Sequence, residues 1–206
     1  MKVFLLLVAG YFIGCINPAY IISKIRCVDI RKTGTGNLGT TNAFINFGKG
    51  FGSIVLLVDM LKAFLPVWIC LNLINIGHWG AATIGCGVLL GHMFPFYTGF
   101  KGGKGIASLG GFILAVSWKW FLLLLFIGCV LALLFNYGCC ISFSASVLFP
   151  VIYGISERSF PLFILVMLTS ICILVKHSEN IRKIKAGEEM PIRNFLVKHV
   201  IGGRNV

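Results

Sequence analysis

Seven apolar runs follow one another along this chain, at residues 3–23, 51–75, 80–98, 106–117, 120–136, 141–155 and 160–175. No feature constrains the fold more. A helix needs about 20 apolar residues to cross the hydrocarbon core of a bilayer. A soluble domain of this length has no interior large enough to hide seven such segments. In lipid every backbone polar group must find its partner inside the protein, which leaves helices as the spanning element. The charge content agrees: 12% of residues are charged, against about 25% in an average soluble domain. The spacing predicts an all-α, polytopic membrane helical bundle, one integral membrane domain over 1–206, with about seven transmembrane segments. Two of these, 106–117 and 141–155, are short, so they tilt or stop partway beside a wet cavity. Trp118 and Trp120 flank Lys119 in "SWKW" and mark a membrane interface. "SERS" at 156–159 separates the last two segments. The N-terminal "MKVFLLLVAGYFIGC" resembles a signal peptide, but its apolar character continues through "INPAYIIS", so it is read as a retained first helix.

The net charge of +12 would suit nucleic acid, but the basic residues sit in short segments between apolar runs. That is the pattern of membrane-flanking loops and of sites for anionic substrates; no nucleic-acid partner is expected. With seven crossings, one side receives loop 24–50, loop 99–105 and the tail 176–206. These carry 14 basic residues: Lys24, Arg26, Arg31, Lys32, Lys49, Lys101, Lys104, Lys176, Arg182, Lys183, Lys185, Arg193, Lys198 and Arg204. The other side has Lys2, Lys119 and Arg158. Such a bias predicts the N-terminus outside, the C-terminus in the cytoplasm, and all three polar segments on the cytoplasmic face. Asp59 and Lys62 fall inside the second run, three residues apart, and can pair on one helix face. The eight cysteines lie mostly in apolar runs without metal-ligand spacing; neither zinc nor disulfides are expected.

The first polar segment contains "GTGNLG", residues 34–39, which matches the dinucleotide fingerprint in letters. That fingerprint works at a strand–helix turn within a βαβ unit, and here a membrane helix precedes it. What survives is the physics: glycines let backbone N–H groups converge on an anion. Thr35, Gly36, Asn37, Gly39 and Asn42 are the candidate phosphate-binding residues there, with Thr40 and Thr41 as further donors. The second segment, "FKGGKG" at 100–105, resembles a Walker A loop but has Gly105 where Ser or Thr is required and Thr98 where the first glycine belongs. Lys101 and Lys104 among Gly102, Gly103 and Gly105, before a helix, still form an anion site. The third is "KHSENIRKIKAGEE", 176–189, in which His177 and Asn180 would share one face of a continuing helix. Ser142, with Ser144 and Ser146 nearby, lies at the cytoplasmic end of 141–155. Polar segments gathered on one face predict a substrate with several phosphates, or two phosphorylated substrates.

"TGTGNLGTTN", "GHMFPFYTGFKGGKGIAS" and "KHSENIRKIKAGEE" resemble, in order and at the expected separations, the three signature motifs of the bacterial acyl-phosphate:glycerol-3-phosphate acyltransferase family; "GCINPAYIISK" is similar to its first helix. The resemblance implies a multi-pass enzyme of the bacterial inner membrane. Its site faces the cytoplasm, and it transfers an acyl chain from acyl phosphate to the 1-hydroxyl of glycerol 3-phosphate, giving lysophosphatidic acid and phosphate. It implies no cofactor and no metal; a monomer is the favoured unit, with membrane lipid around it. By the same resemblance Lys104, His177 and Ser142 are the candidate catalytic residues, with Asn180, Asn37, Asn42, Gly187 and Glu189 also matching. Thr35 stands where the family usually has serine. The family commonly has arginine where this chain has Ile45, which points to Lys49, one helical turn on, as a compensating cation, or to an altered acceptor, weak activity or an inactive paralogue. The His-x4-Asp box of soluble-chain acyltransferases is absent. A small transporter of phosphorylated or anionic solutes is the alternative class; it would place polar residues across the bilayer depth and show related halves.

Overall fold

A computed structural model describes residues 2–201, and among them every regular element is helical. The elements are α1 (Lys2–Gly14), α2 (Pro18–Ile25), α3 (Thr40–Asn72), α4 (Gly77–Met93), a 3₁₀ turn (Phe96–Thr98), α5 (Ile106–Val116), α6 (Trp118–Phe135), α7 (Cys139–Ser156), α8 (Phe160–Lys176), α9 (Ser178–Lys185), α10 (Ile192–Phe195) and a π-helical turn (Leu196–Ile201). Arg204 of the expected basic tail lies outside the described residues.

Helix α1 packs along α4 through small residues on both partners. A methyl group at Gly10 or Gly14 would stand 2.3 or 2.1 Å from the carbonyl oxygens of Ile84 and Val88. One at Gly87 or Gly91 would stand 2.4 or 2.0 Å from those of Leu7 and Tyr11. Both helices therefore use a Gly-x3-Gly stripe, the arrangement by which backbones approach when lipid provides no hydrophobic drive for association. Deeper in the bundle Phe112 of α5 meets Phe149 of α7 edge-on at 5.2 Å, and Phe149 stacks on Tyr153 at 5.3 Å.

Three expectations are corrected. The first segment is not one helix over 3–23: it breaks at 15–17, where Asn17 caps Tyr20 N–H at 2.8 Å and Pro18 opens α2. Proline at the first helical position and asparagine before it are start signals. The carbonyls freed by the break are satisfied from elsewhere: Tyr97 OH donates to Cys15 at 2.5 Å and Lys62 Nζ to Ile16 at 2.6 Å. Second, loop 24–50 is half helix, since α3 starts at Thr40 and bends at Gly48, whose φ of +80° no other residue adopts cheaply. Third, 141–155 is not short: α7 has 18 residues. Among the described residues, six helical stretches, three of them joining consecutive helices, are long and apolar enough to cross, and α5, with 11 residues, is a shorter apolar helix beside them.

Side-chain contacts define two ends. At one, His78 at the start of α4 lies 3.1 Å from Tyr153 OH and 3.5 Å from Glu157, and Trp120 at the start of α6 packs against Tyr153. At the other, Lys104 reaches Asn180, and Asn136 after α6 receives the backbone N–H of Ile192 at 2.9 Å. Helix α5 thus carries the chain from the second end to the first despite its length, and the seven-segment alternation holds. The second end collects the basic loops.

Candidate active site

At this basic end lies a cavity of about 510 Å³, lined by residues from three segments: Asp29 to Leu38, Lys101 to Lys104, and Lys176 with Glu179. Five cationic side chains border it (Arg31, Lys32, Lys101, Lys104, Lys176) against two carboxylates. The excess of positive charge selects anions.

The first wall is the loop before α3. Asn42, 1% exposed, organises it: its Oδ1 accepts Thr35 N–H at 2.9 Å while its Nδ2 donates to Ile30 carbonyl at 2.6 Å. Asn46 adds a third bond, to Asn42 Oδ1 at 2.9 Å. Asn42 therefore holds the loop from behind, while Thr35, Gly36 and Asn37 face the cavity. Gly34 has φ +58°, and a methyl there would strike Asn42 Oδ1 at 2.3 Å. Gly39 begins α3 in extended conformation, its carbonyl accepting Ala43 N–H. At the rim Arg31 clasps Asp29 through Nε at 2.8 Å and Nη2 at 2.9 Å, and that bidentate guanidinium holds the Asp29 carboxyl down to about 2.

The second wall is the strand-like run 101–104. Here the expected backbone role is corrected. The N–H groups of Gly102 and Gly103 donate to the carbonyls of Met93 and His92, both at 3.1 Å. The last carbonyls of α4 have no partner within their own helix, and these two amides satisfy them instead of facing an anion. The glycines serve close approach: a methyl on Gly103 would lie 2.1 Å from His92 Nε2, and one on Gly102 would lie 2.2 Å from the His92 carbonyl oxygen. Gly105, at φ +89°, turns the chain into α5. What the run presents is Lys104. Its ammonium donates to Asn180 Oδ1 at 2.5 Å, and Asn180 Nδ2 donates to Glu189 at 2.6 Å. Burial holds the Lys104 ammonium below the usual lysine range, against the opposing pull of Glu179 and Glu189.

Asn180 reaches the site through Lys104, and His177 stands at a break in the helix that was expected to carry both. Helix α8 ends at Lys176, and α9 starts after His177, which is 4% exposed. Its Nδ1 lies 2.8 Å from the Ile173 carbonyl, which can only accept, so Nδ1 carries the proton and Nε2 the lone pair. Ser142, also 4% exposed, sits in the first turn of α7. Neither belongs to the cavity lining. Lys49 is likewise not in the lining; the positive charge near the first loop comes from Arg31 and Lys32, while Ile45 packs beneath Gly34. Arg31 and Lys32 were legible as loop charges but carried no motif signal that separated them from membrane anchors, and Lys176 opens the third motif with no signal of its own.

The Asp59–Lys62 pair forms as expected, at 2.7 Å, but has a third member: His92 Nδ1 lies 2.9 Å from Lys62 Nζ and 3.3 Å from Asp59. All three are at most 6% exposed.

Fold and site define a class: a polytopic helical membrane protein whose polar chemistry is a cationic, glycine-walled cavity at one end of the bundle. Residues 4–187 match the family model described as glycerol-3-phosphate acyltransferase. A glycerol-3-phosphate acyltransferase of Mesorhizobium japonicum is 35% identical over 190 residues, covering 90% of this chain and 93% of the relative. One from Streptococcus thermophilus is 36% identical over 205 residues, covering 92% of each. Among solved structures, the glycerol 3-phosphate form of PlsY (YgiH), an integral membrane glycerol 3-phosphate acyltransferase, superposes with a TM-score of 0.83 at 30% identity, over 93% of this chain and 96% of that one. Its lysophosphatidic acid form gives 0.82 at 28% identity, over 96% of this chain and 100% of that one. The chain belongs to the glycerol-3-phosphate acyltransferase family, and it is an integral membrane acyltransferase.

Proposed function

We propose that this enzyme transfers the acyl chain of an acyl phosphate to the sn-1 hydroxyl of glycerol 3-phosphate, releasing lysophosphatidic acid and inorganic phosphate on the cytoplasmic side of a bacterial inner membrane. The observation that carries this reading is the meeting of Lys104, Asn180 and the 31–37 loop around one cationic cavity at the edge of an apolar bundle. A water-soluble dianion and the phosphate of a lipid-soluble donor can enter such a site from opposite directions. The excess of cations offsets their mutual repulsion. The concentration of basic residues at the cavity end supports a cytoplasmic cavity and an N-terminus outside.

Acyl phosphate is a mixed anhydride, so its carbonyl needs no covalent activation by the enzyme. The acceptor hydroxyl oxygen attacks the carbonyl carbon, a C–O bond forms, and the bond from that carbon to the phosphate oxygen breaks. The hydroxyl proton ends on the departing phosphate. Lys104 stabilises the phosphate charge that develops, and Asn180, fixed between Lys104 and Glu189, keeps the ammonium aimed. The 35–37 loop with Arg31 and Lys32 receives the acceptor's phosphate. Holding the two reactants in register adds the entropic share of the acceleration. His177, with its proton on Nδ1 tied to Ile173, anchors the junction from which Asn180 projects. Ser142 acts as a hydrogen-bonding group of α7 rather than as a nucleophile. The test is phosphate release from acyl phosphate plus glycerol 3-phosphate by the protein in lipid, with Lys104→Ala and Ile45→Arg beside it. Release that depends on both substrates and falls with Lys104→Ala is expected; no release by the unmodified chain refutes the reading.

A further inference from the structure

We infer that Asp59, Lys62 and His92 form a positioning device that sets the register of the lysine-bearing loop from inside the bundle. These groups lie on α3 and α4, away from the cavity lining, and the chemistry proposed above does not use them. Burying three ionisable side chains in an apolar interior is costly. The arrangement shows what the cost secures. Lys62 Nζ has three partners: an ion pair with Asp59 Oδ1 at 2.7 Å, and hydrogen bonds to His92 Nδ1 at 2.9 Å and the Ile16 carbonyl at 2.6 Å. An ammonium held by partners from three parts of the chain has little freedom to move. It fixes the His92 ring from one side.

The other side of that ring faces the loop. Gly103 approaches so closely that a methyl group would fall 2.1 Å from Nε2, and the His92 and Met93 carbonyls hold the N–H groups of Gly103 and Gly102. The ring is thus a stop against which Gly103 rests, one residue before Lys104. Through Ile16 the same ammonium ties down the break in the first segment. There Asn17 Nδ2 holds the Leu38 carbonyl at 3.2 Å, and Leu38 lines the cavity. Both cavity walls are therefore referred to one buried cation.

This inference rests on the acyl-transfer reading for its kinetic consequence but not for its structural one, so the test has two readouts in detergent or lipid. Amide hydrogen exchange over 101–105 reads the loop directly. Phosphate release reads Lys104, with the unmodified enzyme checking the reaction assignment separately. His92→Leu leaves Lys62 and Asp59 paired but removes the stop. It is expected to speed exchange at 101–105 selectively and to lower kcat by about 10- to 100-fold, the scale of an ångström-level misplacement. His92→Asn, which keeps an acceptor near the Nδ1 position, is expected to recover part of both. Asp59→Asn leaves an unpaired buried cation and is expected to lower the melting temperature. The double variant Asp59→Asn/Lys62→Met removes that charge, regains thermal stability and stays slow. If the double variant melts and turns over like the unmodified enzyme, the triad is only a structural pair. Wild-type exchange at 101–105 in His92→Leu overturns the inference regardless of activity.

Discussion

Substituting alanine at Gly103 places a methyl group 2.1 Å from His92 Nε2 and 2.9 Å from the Leu38 carbonyl oxygen. Non-bonded carbon and nitrogen settle at about 3.5 Å or beyond, so relief of the first contact needs a shift of about 1.4 Å, or at least about 1 Å if some strain is retained. His92 cannot provide it. Its ring is buried at 3% exposure and stands within 2.9 and 3.3 Å of Lys62 and Asp59. Leu38 contributes a main-chain oxygen that already holds the Asn17 amide. The loop must move instead, taking the adjacent Lys104 with it. A displacement near 1 Å costs such a reaction about 100-fold in rate, equivalent to about 2.7 kcal/mol of barrier. Overpacking adds about 1–3 kcal/mol of destabilisation. The assay is kcat for phosphate release alongside a thermal melt. Gly110→Ala is the control, because a methyl there meets nothing nearer than 3.5 Å and sits on the short helix that follows the loop. Its turnover should stay within about 2-fold, with stability level or higher, since alanine is favoured over glycine in helices by up to about 1 kcal/mol. A Gly103→Ala enzyme with kcat within about 3-fold of the unmodified one would refute the argument that the loop is held against a fixed ring.

Three further outcomes are expected. Gly91→Ala drives a methyl to 2.0 Å from the Tyr11 carbonyl oxygen; forcing α1 off α4 should lower the melting temperature, a loss of about 1–3 kcal/mol, whereas an unchanged melt would show that the helices do not need this approach. Lys104, held below the usual lysine range, loses its charge as pH rises through that lowered value. The alkaline limb of the rate profile should therefore lie below the pH at which an exposed lysine, near about 10.4, deprotonates, and Lys104→Arg should abolish that limb at reduced kcat; a limb unmoved by the substitution assigns it to another group. The proposed reaction forms no acyl-enzyme, so turnover should persist in Ser142→Ala and mass spectrometry of the unmodified enzyme under turnover should find no acylated serine; an adduct on Ser142 would reverse its role.

Much of this molecule can be read without coordinates, and the exceptions have physical causes. Apolar length revealed the seven segments, and even the 11-residue α5 was legible from the Trp-Lys-Trp interruption. The break at Asn17–Pro18 was spelled in residues that signal a helix start, but both neighbours are apolar, and hydropathy averages across such a pair. The glycines of 102–103 pointed to close backbone approach. Whether an amide then faces an anion or a carbonyl depends on where the α4 terminus lies, and local sequence does not encode that. His92 is the clearest omission: a single histidine in an apolar run gains meaning only from Lys62, 30 residues away. His177 and Asn180 had helical spacing, yet the break between α8 and α9 falls at His177 itself, so its ring packs back on Ile173 while Asn180, on α9, bonds Lys104.

The brevity of α5 bears on where the reaction takes place. Eleven residues rise about 16 Å, roughly half of the ~30 Å hydrocarbon thickness. The run 101–104 makes up part of the remaining path by folding back along the end of α4, its Gly102 and Gly103 amides on the Met93 and His92 carbonyls. A short α5 thus lets the lysine-bearing wall stand beside the last turn of α4 instead of on a loop beyond it. Lengthening α5 by one turn would displace Lys104 by about 5 Å and separate it from Asn180.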